Sequence, residues 1–570
     1  MCHILLQSVS VIISIAVSFA TVHFPNGTEF PVEQQTKTTT TMLNSTNTSY
    51  ASRHGTYGVP LPDSSSIKFQ NDGSDSSNTI RDDLIEKFIA RGMLQFALQM
   101  NFALSSDDYV GRGNDENLIF SPISIASALA LVMLGAAGKT YTELSSVLGL
   151  VSGEDLSISA DELHYYFGKL VKRIDIRHTS SNSTYAALAN GIFVQEGYPI
   201  KPQFEKVSKE MYDGEVKNLD FISHSKEAKD VINRWVENKT FGRIDQILQY
   251  PPSPTSKVII ASALYFNGAW EYPFLSETTS WKPFFVDGRG RNDSKEIIQV
   301  IMMTNIAEYL YYYDPILGCQ VVGLPYKGRT YSMYLILPDE PGQQALKSLQ
   351  HKLTVNKMQK LMDSTTERSV ILALPRMQLD TIIYLKKALK VLGVHTLFDP
   401  YHADLSELSD QRVAELTDRI GNGNTSQEQS SEIPSTTNEY SEHTTMTEAN
   451  NEDTTQTDDN ARQYATEPEV VNFRTFKSSK TSPSNKDHYR NNGPGIFAEN
   501  VVHKVTIDIT ETGTEAAAAT VVSITRDGLR KLVRFERPFL FILRHEATGS
   551  VLFWGTVTRP TPNQPAFSGK

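Results

Sequence analysis

Cysteine is nearly absent from this chain, which has only Cys2 and Cys319 among its 570 residues. No framework of internal disulfides can stabilise the fold, so stability must come from a buried core. Basic residues are outnumbered, and the formal net charge is −11. No nucleic-acid partner is expected, because phosphate recognition needs a basic surface. No apolar run reaches the length of about 20 residues that a membrane helix requires, so no membrane span is predicted.

Signatures of catalytic and cofactor sites are also lacking. The chain has no phosphate-binding glycine loop, no His/Cys cluster at metal-ligand spacing and no nucleophile-elbow sequence. Its 13 histidines are scattered along the sequence. We therefore predict that the protein is not an enzyme and has no catalytic residue, no metal and no cofactor.

Two long tracts contain few aliphatic residues. Residues 21–80 and 410–494 are rich in Ser, Thr and Asn and show no sustained helical or strand period. Such tracts cannot bury enough apolar area to offset the entropy lost on ordering, so both are expected to be disordered. The remaining residues, 81–409 and 495–570, suit one large α/β domain with a long insertion.

The insertion at 410–494 admits three interpretations. It is a tolerated linker, since long loops cost little extra closure entropy. Alternatively, it tethers a partner, or it is cut by proteases near Arg462 or Arg490. The tolerated linker is preferred.

The first residues indicate the compartment. Residues 4–19 form a short apolar run that ends in Ser18-Phe19-Ala20, a small-x-small pattern suited to signal peptidase. Removal of a signal peptide at 1–20 would leave Cys319 as the single cysteine, and the mature protein is expected to be a secreted, extracellular glycoprotein. Sequons for N-glycosylation occur at Asn26, Asn44, Asn47, Asn182, Asn238, Asn292 and Asn424.

Periodicity predicts both helices and strands in the folded part. Residues 82–104 are amphipathic at helical spacing. Ser121 before Pro122 predicts a helix start, and Gly135 predicts its end. The spacing of Thr140 and Glu143 is that of a capping box. Strands are predicted at 258–266, 331–337, 369–374, 540–543 and 551–557.

The most informative stretch begins with a strand pattern at 501–509 and is broken at Gly513. Four alanines follow at 516–519. By propensity alone they favour a helical turn. Side chains this small also allow a segment to slide between existing strands, and the rest of the chain must decide between the two.

A series of short motifs resembles the serpin family of serine protease inhibitors, in the family's order. The motifs are Phe120-Ser121-Pro122-Ile123-Ser124, Asn190-Gly191-Ile192-Phe193, Ile232-Asn233-Arg234-Trp235-Val236-Glu237, Ala263-Leu264-Tyr265-Phe266-Asn267-Gly268-Ala269-Trp270, Val300-Ile301-Met302-Met303, Leu324-Pro325-Tyr326, Leu374-Pro375-Arg376, Ala403-Asp404-Leu405-Ser406, Val502-His503-Lys504 and Arg537-Pro538-Phe539. Together they cover most of the part expected to fold.

The resemblance implies an α/β serpin fold with three β-sheets, about nine helices and an exposed reactive-centre loop after Glu511. In this family a target serine protease cleaves the loop and becomes trapped as an acyl ester. The freed hinge then inserts into the main sheet as a new strand. The chain is expected to act as a monomer that forms a covalent complex with a trypsin-like protease.

The hinge favours an inhibitor over the alternative, a non-inhibitory serpin that acts as a carrier or interaction protein. Alternate side chains must enter the sheet, and Thr514, Ala516 and Ala518 are all small. The residues that match inhibitory members are Glu511, Gly513, Thr514, Ala516, Ala517, Ala518, Ala519 and Thr520.

Two reactive bonds fit the resemblance best, and a third at Arg530-Lys531 is weaker because the hinge would then be three or four residues too long. The family's usual spacing, counted from Glu511 or back from Pro538, ends at Asp527 and places the bond between Asp527 and Gly528. A trypsin-like protease would prefer Arg526, which places the bond before Asp527. The Arg526 bond is preferred because aspartate-specific proteases are mostly intracellular.

Residues with structural roles in the family also have counterparts here. Ser121, Asn190 and His503 match the shutter, a polar network beneath the main sheet. Trp270, Arg376 and Glu511 match the breach, where the loop first inserts.

One basic cluster is a candidate polyanion-binding site. Lys169, Lys172 and Arg173 share a helical spacing that would suit a glycosaminoglycan. The preferred alternative is an ordinary solvated helix face.

Overall fold

The computed structural model describes residues 20–23, 29–32, 75–105, 117–149, 160–174, 184–287, 296–409, 495–514 and 530–565. The chain divides into two units, Met1–Gly58 and Val59–Lys570. In the first, β1 (Ala20–His23) pairs antiparallel with β2 (Glu29–Val32). The expected limits of the signal peptide, extension and insertion stay predictions.

Nine α-helices lie in the described part of the second unit. They are α1 (Asp75–Ser105), α2 (Pro122–Gly135), α3 (Gly138–Val147), α4 (Ala160–Ile174), α5 (Pro202–Tyr212), α6 (Ser225–Lys239), α7 (Gln343–Lys352), α8 (Val355–Asp363) and α9 (Lys386–Val391). Short 3₁₀ turns occur at Ser276–Thr278 and Thr396–Phe398. None of the helices described is long and apolar enough to span a membrane.

Helix α2 starts and ends where the sequence predicts. Ser121 is its N-cap, with extended backbone and a side chain that accepts from the Ser124 N–H, and Pro122 occupies the first position. Every residue of α2 is buried, so the helix lies at the centre of the domain. At its end, a Cβ on Gly135 would lie 2.7 Å from that of Leu408.

The predicted capping box is wrong. Helix α3 already begins at Gly138, and its N-cap residue, Ala137, makes no side-chain cap. The Glu143 carboxylate instead accepts from the backbone N–H groups of His395 and Thr396, both at 2.8 Å. Glu143 therefore stabilises the 3₁₀ turn at Thr396–Phe398, a partner distant in sequence that local spacing cannot reveal.

Helix α1 also begins earlier than the predicted residue 82. It starts at Asp75 and continues to Ser105. Apolar periodicity detects only the packed part of a helix, which here begins near Ile85. The polar first turns carry no such signal.

In the described part of the second unit, the strands contain all six segments predicted as strands, including 501–509. They are β3 (Leu118–Phe120), β4 (Tyr185–Gln195), β5 (Glu215–Leu219), β6 (Val258–Ala269), β7 (Ser280–Phe285), β8 (Ile297–Asp314), β9 (Cys319–Pro325), β10 (Tyr331–Pro338), β11 (Thr366–Pro375), β12 (Met377–Tyr384), β13 (Ala498–Ile509), β14 (Gly513–Thr514), β15 (Lys531–Arg534), β16 (Phe539–His545), β17 (Val551–Val557) and β18 (Asn563–Pro565).

The central sheet has the strand order β12-β13-β6-β4-β5. Its middle strand, β6, is buried along its whole length, as expected for a strand covered on both faces. Strands β13 and β6 run parallel and are paired from Ala498 and Val258 to Thr506 and Tyr265. We call this pairing the seam.

The second sheet has the order β15-β11-β8-β9-β10-β16-β17-β3, and β7 and β18 also pair with β8. Strand β8 is 18 residues long; it pairs with β7 over its first residues, with β11 along its middle and with β9 over its last residues. Two of the three expected sheets are therefore joined through β8.

Candidate functional site: the seam of the central sheet

The hinge is already seated at one end of the seam. After β13 the chain turns through Thr510 and Gly513, whose backbones exchange hydrogen bonds of 2.8 and 3.3 Å. Strand β14 then pairs antiparallel with β6, with Gly513 opposite Ala269 and Thr514 opposite Gly268. The first two residues of the returning segment thus extend the central sheet where β13 and β6 are no longer paired.

Glycine is the only residue type that fits this turn at position 513. Its φ of +142° is a conformation that side chains disfavour. A Cβ at this position would also lie 2.1 Å from the carbonyl oxygen of Gly268. Close approach of two backbones therefore explains the hinge glycine.

A buried hydrogen bond holds Thr514 in place. Its side chain is fully buried, and its Oγ1 lies 2.9 Å from the hydroxyl of Tyr326. The Tyr326 ring stacks on Trp270 at a centroid distance of 4.3 Å. Burial raises the pKa of Tyr326, so the phenol keeps its proton. The motif Leu324-Pro325-Tyr326 did not predict this contact, because the hinge lies far away along the chain.

The three predicted breach residues come together at this end of the seam. Trp270 donates from Nε1 to the Thr510 carbonyl at 2.9 Å, and from its backbone to Thr512 at 3.1 Å. Arg376 Nη1 and Glu511 Oε2 are 3.9 Å apart, at the limit of an ion pair. Because the Arg376 side chain is 47% exposed, solvent screens this pair. The tryptophan and the backbone bonds are the firmer links.

Reversing the charge at Glu511 should loosen the hinge. In Glu511→Lys, a cation faces Arg376 and repels it, so we expect early opening of the seam and polymers on mild heating, measured by size-exclusion chromatography. Glu511→Gln is the matched control: it removes a screened pair worth at most about 1 kcal/mol and should stay largely monomeric. A monomeric, fully inhibitory Glu511→Lys protein would contradict the expectation.

The predicted shutter residues form a buried polar network across the seam. The Ser121 N–H donates to Nε2 of His503 at 2.9 Å, and Nδ1 of His503 lies 3.2 Å from the Ser262 hydroxyl. Since Nε2 accepts a hydrogen bond, the neutral ring carries its proton on Nδ1, toward Ser262. Ser262 also contacts the hydroxyl of Ser124 at 2.7 Å.

Asn190 completes the network from the neighbouring strand β4. It lies opposite Ser262 in the β4–β6 register. With its amide oriented to satisfy both atoms, its nitrogen donates to the carbonyl oxygens of Ala189 and Ser124, both at 3.3 Å. The network therefore links β4, β6, β13 and α2. Ser262 was not predicted as a member of the network, although a lone serine inside the apolar run of β6 is a signal for a buried polar contact.

Burial makes this network sensitive to acid. It lowers the pKa of the His503 imidazole to about 3, whereas an unfolded histidine titrates near 6.5. Between these values the unfolded chain binds a proton that the folded chain does not, so the free energy of unfolding falls as the pH falls. Burial lowers the pKa of His164 and His545 to about 4, which acts in the same direction.

We therefore expect His503→Gln to reduce the acid sensitivity. Glutamine can still accept from the Ser121 N–H but does not titrate. Between pH 7.5 and 5.0, His503 should account for about 2 kcal/mol of lost stability, at about 1.4 kcal/mol for each pH unit below 6.5. Urea unfolding at the two pH values measures the difference. Substitution of the exposed His395 by glutamine should leave the loss of stability between the two pH values unchanged. An equal pH dependence in the His503 and His395 variants would refute the assignment of this loss to His503.

The candidate polyanion cluster lies on α4 and is partly neutralised. Lys169 Nζ lies 3.8 Å from Asp82 and 3.6 Å from Glu86, and Arg173 lies 2.5 Å from Glu86. Lys172 is exposed. Pairing to the acids of α1 favours the solvated-face interpretation, and the polyanion site stays a prediction.

The rest of the hinge and both reactive bonds lie outside the described residues. The residues concerned are Ala516, Ala517, Ala518, Ala519, Thr520, Arg526, Asp527 and Gly528. Within the described ranges, no group of three or more His, Cys, Asp and Glu residues could hold a metal ion. Cys319 is a free, buried thiol whose pKa burial raises to about 12, which keeps it protonated.

Comparison with known proteins supports the same family. The chain is 27% identical to Serine protease inhibitor 28Dc of Drosophila melanogaster over 486 residues, which span 81% of this chain and 78% of the relative. It is 28% identical to the human Leukocyte elastase inhibitor over 473 residues, or 82% and 98% of the two chains.

Solved structures share the fold. Human thyroxine-binding globulin matches with a TM-score of 0.60 at 20% identity, over 84% of this chain and 100% of that chain. At this identity the likeness shows the fold alone, and it confirms the predicted α/β serpin fold. A family model described as Serpin (serine protease inhibitor) matches residues 91–560. The chain therefore belongs to the serpin family.

Proposed function

We propose that the protein is a secreted, monomeric inhibitor of a trypsin-like serine protease, and not itself an enzyme. The observation that carries this proposal is the position of the hinge at the end of the seam. Gly513 and Thr514 already pair with β6 at the open end of the seam. If the loop were cleaved farther along the chain, this existing pairing would already have started its insertion and set its register against β6.

The energetics favour completing that insertion. Each new backbone hydrogen bond contributes only about 1 kcal/mol net. A dozen of them, together with newly buried side chains, would supply roughly ten kcal/mol. This free energy would distort the acylated protease before water releases it, which makes the protein a suicide substrate.

Arg526 is the proposed specificity residue. The acidic pocket of a trypsin-like protease pairs with a guanidinium through charge-assisted hydrogen bonds. Asp527 would instead require an aspartate-specific protease. The expected signal peptide supports an extracellular target. Expression of the full-length chain, followed by a search of the culture medium for a protein that begins at residue 21, tests this part of the proposal.

A gel assay tests the function directly. The protein is incubated with trypsin or with an aspartate-specific protease, and the products are resolved by denaturing electrophoresis and mass spectrometry. A stable covalent complex with trypsin and a released fragment that starts at Asp527 support the proposal. Cleavage without any complex would favour the non-inhibitory alternative, a carrier or interaction protein on the same fold.

A further inference from the structure

The strand that follows the reactive loop presents an unusual surface. Strand β15 is an edge strand, paired in parallel with β11. Val533 is buried at 2% exposure, whereas the neighbouring Leu532 is 52% exposed. Lys531 and Arg534 are exposed as well. Because side chains alternate along a strand, Leu532 and Arg534 share one face of β15, and Lys531 is the first residue of the strand, nearest the reactive loop.

Leu532 belongs to a row that crosses three strands. The register places it opposite Ile371 on β11, which in turn lies opposite Ile306 on β8. Cross-strand partners share one face of a sheet, and both isoleucines are partly exposed. We call Leu532, Ile371, Ile306 and Arg534 on this face, together with Lys531 at the start of β15, the sheet-edge patch.

The two cations of the patch are not neutralised within the described residues. Neither Lys531 nor Arg534 has a carboxylate there within ion-pair distance, whereas Arg329 nearby is paired with Glu367 of β11 at 2.6 Å. The chain as a whole carries a net charge of −11. A local positive site with an apolar centre therefore fits an acidic protein surface.

The length of the loop identifies the occupant. Only three residues, 528–530, separate Asp527 from Lys531, so Lys531, the nearest residue of the patch, lies within about 15 Å of the proposed bond even if the chain is fully extended. A protease that holds this bond in its active site therefore has the near end of the patch within reach of its surface. We infer that the sheet-edge patch is a second contact site for the target protease, whose surface beside the active site is acidic. This inference rests on the proposed function.

Matched proteases of opposite charge test the inference. Anionic and cationic trypsins share a preference for arginine but differ in net charge. We expect the double variant Lys531→Glu/Arg534→Glu to lower the association rate constant with anionic trypsin about tenfold at low salt, with little change for cationic trypsin. Raising the salt concentration should remove most of the difference.

The matched control is Lys387→Glu/Lys390→Glu on α9. These lysines are exposed and lie near Tyr384, at the end of β12 opposite from Met377 and the hinge. This variant has the same net charge but should leave both rate constants unchanged. Leu532→Ser should slow both trypsins alike, since the contact it removes does not depend on charge.

Several results would overturn the inference. Equal rates for the patch variant and the wild type would reject the patch while leaving the covalent complex, and hence the proposed function, intact. Absence of a complex with either trypsin would reject both. Dimers that dissociate in Leu532→Ser would identify a second copy as the occupant.

Between residues 421 and 460 the chain has nine acidic residues and no Lys or Arg. If deleting 410–494 raised the rate only when Lys531 and Arg534 were present, the chain's own insertion would be the occupant.

Discussion

Thr514→Arg is expected to convert the protein from an inhibitor into a substrate. Trypsin should still cleave the loop, but the covalent complex should be lost and the number of serpin molecules consumed per inhibited protease should rise at least tenfold. The reason is that Thr514 is fully buried against Tyr326. A guanidinium in that position would be a buried charge without a partner, which costs several kcal/mol.

Two measurements separate this effect from misfolding. Thr514→Ser keeps a hydroxyl within reach of Tyr326 and should inhibit like the wild type. The Thr514→Arg protein should show an unchanged circular dichroism spectrum, since the hinge can leave the sheet without unfolding the domain. A Thr514→Arg protein that still traps trypsin would show that the hinge does not insert through this seam.

Arg526→Ala should lower the rate constant for trypsin inhibition about 1,000-fold, equivalent to about 4 kcal/mol. The substitution removes the guanidinium that pairs with the acid of the trypsin pocket. Stopped-flow or progress-curve kinetics with a chromogenic substrate would measure the change.

The neighbouring residue supplies the control. Asp527→Asn should leave trypsin inhibition within a few-fold of the wild type, and Arg526→Lys should retain most of it. Loss of inhibition in Asp527→Asn, with Arg526→Ala unaffected, would move the reactive bond one residue along the chain.

The sequence was a good guide to local structure and a poor one to partners across the fold. The start of α2 was predictable because Ser121 and Pro122 act on the four residues that follow them. The predicted capping box at Glu143 was wrong because the Glu143 carboxylate binds the turn at Thr396, more than 250 residues away. No local pattern records such a partner.

The same distinction holds at the site. The family motifs predicted Trp270, Arg376 and Glu511 as neighbours, and the structure brings them together. They did not predict that the ion pair would be long and solvent-screened, nor that Tyr326 would hold Thr514. These details depend on side-chain distances, which spacing along a chain does not determine.

The antiparallel pairing of β14 also acts as a ruler. With Gly513 opposite Ala269, each added residue of the cleaved loop would lie one position farther back along β6. Thr520 would then reach Ser262, at the level of the shutter. Up to this point the side chains that enter the sheet are small. The inserting loop would therefore reach the shutter before any bulky side chain had to enter the sheet.

Below the shutter, the ruler continues to the far end of the strand. Ile524 would lie opposite Val258, the first residue of β6. The side chains on the inner face would be those of Thr514, Ala516, Ala518, Thr520, Val522 and Ile524. Arg526 would clear the sheet by two residues. A protease bound to Arg526 would move along the length of the 12-residue strand β6, which is about 40 Å at 3.3 Å per residue. The loop is therefore just long enough to carry the protease to the far end of the central sheet.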